Sequence, residues 1–177
     1  MIRLRILAGM AHWTRNLALG LAGGMAATAA MNAYWMAVGK VKPELASSGG
    51  EEPPTVKVAR RAMKKAGVKS PSSDVRALGG KAVHWGYGTT WGLIAGASRA
   101  SGVPLTWGGG LLFGTGLWAL GDLWMLYKMG LAKHPREYPM EVNAAALGAH
   151  LAYGLAAWAV MDKLGKVPKK RYGRRAA

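Results

Sequence analysis

Four long stretches without a charged residue constrain this chain more than any other feature. No Asp, Glu, Lys or Arg occurs between Asn16 and Val38, Ala82 and Ser98, Ser101 and Gly121, or Val142 and Met161. Crossing a hydrocarbon core of ~30 Å at 1.5 Å per residue takes about 20 residues, which these runs reach or nearly reach. Hydrophobic residues make up 51% of the 177, yet the formal net charge is +16. The charges lie between and beyond the runs, whereas a soluble basic protein intersperses them. The pattern predicts an all-α fold: a polytopic membrane protein, a four-transmembrane-helix bundle forming one domain over 1–177. The expected spans are 16–38, 78–100, 107–129 and 142–162.

Each span carries small residues four apart: Gly20, Gly24 and Thr28; Gly88, Gly92 and Gly96; Gly110 and Gly114; Ala144 and Gly148. Glycine weakens a soluble helix by about 1 kcal/mol relative to alanine. In lipid, small faces let backbones approach closely, so these stripes are expected to be the packing surfaces. Trp13, Trp35, Trp107 and Trp158 stand near the expected span ends, where interfacial belts form. The first span begins like a signal peptide, with Arg3, Arg5 and Arg15 ahead of Ala26-Ala27-Thr28-Ala29-Ala30. Its apolar run continues through Met31, Tyr34, Trp35 and Val38, longer than a signal core of roughly 7–15 residues.

The connections differ in kind. The first, 39–77, contains a flexible Ser47-Ser48-Gly49-Gly50 and then Glu51-Glu52-Pro53-Pro54, acids and proline suited to a helix start. The helix that follows, about 55–66, has Val56, Ala59 and Met63 on one side. Lys57, Arg61, Lys64 and Lys65 lie elsewhere around it. It reads as a basic interfacial helix in the first loop, with a simple solvated helix as the alternative. A basic tail occupies 163–177. Lys64, Lys65, Lys169, Lys170, Arg171, Arg174 and Arg175 are therefore candidate contacts to the anionic lipid headgroups of the bilayer. No recognition motif supports nucleic acid as a partner; a homo-oligomer stays open. Basic residues number eleven on the side of the termini and thirteen on the other, so the positive-inside rule does not separate the orientations. The weight usually carried by a first helix favours cytoplasmic termini.

A polar layer crosses the four spans. The motif H-x-x-Y-G occurs twice, as His84 with Tyr87-Gly88 and as His150 with Tyr153-Gly154, each early in a span entered from the same side. His and Tyr three apart share a helix face. Counting from the span ends puts Asn32, His84, Asp122 and His150 roughly 9–12 Å below one surface, one from each helix. Ionisable groups at that depth face the bundle interior and pair. Asn32, His84, Tyr87, Asp122, His150 and Tyr153 thus form the candidate site. A cluster that serves only interhelical packing is the plain alternative.

The order of these features resembles the YagU-like family of small bacterial inner-membrane proteins. The resemblance rests on Gly23-Gly24-Met25-Ala26-Ala27-Thr28, Pro53-Pro54-Thr55 with Val58-Ala59, His84 with Tyr87-Gly88, and Trp118 with Asp122. Pro135, Pro139 and His150 with Tyr153-Gly154 complete it, over most of residues 20–160. It implies a multi-pass protein of the bacterial inner (cytoplasmic) membrane, of unassigned chemistry and loosely associated with acid resistance. The long basic tail and Lys81 depart from the family pattern.

Three functions fit the layer. Titratable His84, Asp122 and His150, with Tyr87 and Tyr153 as relay groups, suit proton or ion handling. Two histidines and a carboxylate on facing helices also suit a bound metal or haem, although no spacing identifies the cofactor. A structural or assembly factor would use the layer only to set helix register. An enzyme is not expected: no catalytic triad order, phosphate loop or zinc helix motif is present, and the absence of cysteine removes thiol chemistry and thiolate metal sites. Reporter fusions at Gly173 and near Ser48 are expected to report opposite sides of the membrane. One side for both would break the four-span topology.

Overall fold

Small side chains determine where the helices of this protein meet. A computed structural model describes residues 2–46 and 51–166, the side chains of residues 2–6 excepted, and it is helical throughout with no strand among the described residues. In chain order the elements are α1 (Ile2–Val41), α2 (Pro43–Ala46), α3 (Pro54–Lys65), α4 (Ser73–Ala100) and α5 (Trp107–Trp118). α5 runs on through a π-helical stretch, Ala119–Met125, into α6 (Leu126–Lys128). A 3-10 turn, Pro135–Glu137, then leads to α7 (Met140–Gly165).

α1 lies against α4 with almost no side chain between the backbones. A Cβ added at Gly24 would stand 2.9 Å from both Gly88 O and Gly92 Cα, and one at Gly96 2.5 Å from Asn16 O. Residue numbers rise along one helix as they fall along the other, so the pair is antiparallel. α7 covers the other side of α1, with Met161 and Ala157 against Gly23 and Tyr34 against Gly148. α5 packs on α7, where a Cβ at Gly110 would lie 2.7 Å from Gly154 O. The backbones therefore follow the order α4–α1–α7–α5, with each neighbour antiparallel. α4 and α5 are joined by a turn at Gly102, whose φ of 88° suits glycine, and they meet through side chains such as Trp91 and Phe113. The expected small faces do pack, with one correction. Gly154 and not Ala144 faces α5; Ala144 is exposed.

The distribution of side-chain size is the reverse of a soluble core. Ala27, Thr28, Ala149 and Ala157 are fully buried, whereas Leu21, Met25, Ile94, Leu112, Leu120 and Trp124 are exposed. Among the described residues one helix, α7, is long and apolar enough by length and composition to cross a membrane. The other three expected spans do not reach that standard. They are rich in glycine, which contributes little hydropathy, and the third is not one α-helix over 107–129 because the π stretch interrupts it. The first is also longer than 16–38. At 40 residues, α1 extends about 60 Å, and its first turns project past the ends of α4 and α7.

The helix of the first loop starts one residue earlier than expected and docks by its apolar side. Val56 meets Gly80, and Ala59 with Met63 meets Gly79. Two of its cations leave the interfacial role expected of them. Lys57 Nζ donates to Leu131 O at 2.9 Å, and Arg61 donates to Met129 O at 2.8 Å and Gly130 O at 3.0 Å. These carbonyls close the third helix at a left-handed Gly130 (φ 61°), where cations offset the helix dipole. Lys133 Nζ reaches Glu51 Oε1 at 2.6 Å. That hydrogen bond holds the Glu51 carboxyl below the usual carboxylate range, so the contact is complete above ordinary glutamate pH values and weakens only as pH falls below them. Lys64 and Lys65 remain exposed. Lys169, Lys170, Arg171, Arg174 and Arg175 lie outside the described residues, as does 47–50. At the opposite end α1 closes two further helices: His12 Nε2 bonds Ala100 O at 3.2 Å and Arg15 donates to Gly165 O at 2.7 Å.

Overpacking a tight interior costs about 1–3 kcal/mol, and more where backbone must move. A Cβ at Gly92 would sit 2.5 Å from Gly20 O, whereas one at Gly86 meets nothing within 4 Å. Gly92→Ala should therefore lower thermal stability in detergent by at least that amount, while Gly86→Ala leaves it unchanged or raises it. Equal melting temperatures for the two would mean that the glycine face does not pack.

Candidate functional site

The helix contacts bring three elements of the polar layer to one level. Gly24 faces Gly92 and Thr28 faces Gly88; one further turn of this register sets Asn32 of α1 opposite His84 of α4. Across the other interface Gly23 faces Ala157 and Tyr34 faces Gly148, which sets His150 of α7 near the same level. Asp122 sits farther along its helix, since Gly114 already faces the His150 backbone. The two side chains nonetheless converge. Each Cα–Cβ bond tilts toward its own helix N-terminus, and on antiparallel helices these tilts point at each other. Asp122 Oδ2 comes to 3.7 Å from His150 Nδ1. That is ion-pair range and too long for a hydrogen bond. His150 Nδ1 instead donates to Ala146 O at 2.9 Å, which fixes the ring and assigns a proton to that nitrogen. The imidazole is 13% exposed and the carboxylate 32%.

The two copies of H-x-x-Y-G differ. Tyr153 is buried and its hydroxyl donates to Gly88 O at 2.5 Å, tying α7 to α4. Tyr87 is 38% exposed and stands edge-on against Trp91. Its hydroxyl hangs over Gly121 of the π stretch, 3.3 Å from where a Cβ would be, and its charge would be felt at Asp122. His150 is anchored, whereas His84 Nε2 is buried with no hydrogen-bond partner. His84 lies within electrostatic reach of His150. One copy is thus fixed in the core and the other lines the α4–α5 seam. Asn32 is half-buried and makes no hydrogen bond among the described residues.

Sequence reasoning missed several participants. An aromatic run, Tyr87–Trp91–Phe113–Tyr153, links α4, α5 and α7 at centroid separations of 6.0, 6.3 and 6.3 Å. Trp118 Nε1 is buried without a partner one turn before Asp122. The four-residue spacing of Trp118 and Asp122 was a visible signal for a shared face. The π stretch had none, although such stretches in α-helices frequently mark functional sites. No group of three His, Asp or Glu side chains able to hold a metal ion forms among the described residues.

Comparison with protein-family models, with curated proteins and with solved structures finds no match to this chain.

The Tyr153 bond offers a direct check on how far the layer serves packing. Tyr153→Phe removes a hydrogen bond whose net contribution is about 0.5–1.5 kcal/mol, and interhelical bonds in membranes average nearer 0.6 kcal/mol. Tyr87→Phe leaves that interhelical bond intact. A melting-temperature loss for the first and none for the second is expected. Equal losses would mean that Tyr87 is also engaged.

Proposed function

We propose that the chain is a four-span protein of the bacterial inner membrane, termini cytoplasmic, that handles protons through an intramembrane carboxylate–imidazole pair. The membrane reading is supported by the inverted size distribution, since exposed leucine, methionine and tryptophan around a glycine–alanine interior suit lipid and not water. Four spans follow from adding three further apolar stretches to α7. The resemblance to YagU-like proteins, with their association with acid resistance, agrees with this reading.

The single observation that carries the proton role is Asp122 Oδ2 at 3.7 Å from His150 Nδ1. A carboxylate and an imidazole on separate helices, deep in a bundle, are costly to maintain and typically serve ion or proton paths. His84 supplies a second imidazole whose Nε2 is free to exchange partners. Tyr87 supplies a hydroxyl at the seam between α4 and the third helix. The competing structural reading draws on the Tyr153–Gly88 bond, which holds two helices together without chemistry. A bound metal ion has less support, because no third His, Asp or Glu joins the pair among the described residues.

Purified protein in liposomes loaded with a pH-sensitive dye separates the two leading readings. An imposed pH gradient should dissipate faster than in empty vesicles, and Asp122→Asn should return the rate to background while helix content stays native. Wild-type flux in Asp122→Asn would leave the layer a packing device.

A further inference from the structure

We infer that Arg15 and Arg99 form a binding site for the phosphoryl headgroup of an anionic phospholipid at the terminal-side rim of the bundle. The inference rests on the membrane reading and adds a site the sequence did not suggest. Arg15 immediately precedes the first uncharged stretch and Arg99 immediately follows the second. α1 and α4 are antiparallel, so both arginines arrive at the same end. They converge on Gly165, the last residue of α7. Arg15 Nη2 donates to Gly165 O at 2.7 Å. The Arg99 guanidinium lies across the open face of the same glycine, where an added Cβ would be 2.6 Å from Nη2 and 3.1 Å from Cζ.

The charges at this point do not balance. A helix C-terminus presents about half a negative charge, against two full guanidinium charges. Neither arginine makes an ion pair among the described residues. Asp162, three residues before Gly165 on α7, pairs with Lys166 at 2.8 Å. A phosphodiester supplies the missing negative charge and matches the planar donor fork of each guanidinium. The adjoining residue of α7 suits an acyl chain, with Leu164 60% exposed. A lipid, and not free phosphate, therefore satisfies both the charge and the apolar surroundings.

The test uses the full chain in detergent, titrated with short-chain phosphatidylglycerol, phosphatidylcholine or inorganic phosphate. Retained lipid is read by native mass spectrometry, and circular dichroism checks folding. Wild type should retain phosphatidylglycerol in preference to phosphatidylcholine. Arg15→Gln and Arg99→Gln should each weaken retention on the order of fivefold, from the roughly 1 kcal/mol that one basic group contributes near anionic lipid. Lys169→Gln and Lys170→Gln each remove the same charge from the tail and should each weaken it less. Equal retention of the two lipids, or equal loss from the tail and arginine variants, overturns the site. Displacement of phosphatidylglycerol by millimolar phosphate would overturn the lipid as its occupant. If a glutamine variant unfolds, Arg15→Lys with Arg99→Lys decides: charge is kept but the fork is lost, and unchanged retention again overturns the site. Reporter fusions test membrane insertion independently, so a chain that spans the membrane yet shows no lipid preference fails this inference alone.

Discussion

The approach of α1 to α4 through bare backbone is the constraint on which the rest of the structure depends. Gly20, Gly24, Gly88, Gly92 and Gly96 let the two helices touch closely enough that a single methyl group would force them apart. Close approach gives many weak dispersion contacts over a long interface, which is the main favourable term where lipid tails are as apolar as leucine. It also explains why many large apolar side chains point outward: the glycine and alanine contacts leave room inside for only a few, such as Met161, Tyr153 and Leu117. Two other interfaces use the same device, α1 against α7 through Gly23 and α7 against α5 through Gly110 and Gly154, whereas α4 and α5 meet through side chains.

Close packing aligns polar backbone ends as well as side chains, and the protein covers those ends with basic side chains from other elements. His12 and Arg15 on α1 cover the C-termini of α4 and α7, and Lys57 and Arg61 on α3 cover that of the third helix. In a low-dielectric setting, unpartnered carbonyls and exposed dipole ends cost more than in water. The basic helix of the first loop is therefore a clasp as much as a surface element, with its apolar side seated on Gly79 and Gly80.

Much of this was legible in the sequence because its signals are periodic. Uncharged runs and glycines four apart gave the long helices, their faces and the level shared by His84 and His150. The ends were less legible: nothing in the residues before Asn16 distinguishes a leader from the 40-residue helix that forms. The π stretch was hidden because it is a response to packing and not to composition. Asp122 lies farther along its helix than the histidine level because the register of α5 against α7 is already set at Gly110 and Gly114, ahead of that stretch. The repeat also misled in one respect. Identical spacing suggested equivalent sites, yet the neighbours differ: Gly88 O receives Tyr153, while Tyr87 stands against Trp91 and over Gly121. Asn32, chosen by depth alone, has the right level and no hydrogen-bond partner among the described residues.

α4 and α7 carry the two copies of H-x-x-Y-G but have little backbone contact with each other; one side-chain hydrogen bond joins them directly among the described residues. Their relative height is set by a third body, because both are laid against α1 and both are closed by residues near its start. α1 thus serves as a ruler. Adding or deleting residues between Arg15 and Tyr34 changes the ruler's divisions, and both histidines then lose their common level at once. Length added before His12 lies beyond the last mark and leaves the alignment untouched. Variation in the length of α1 is accordingly free at its outer end and forbidden between its marks.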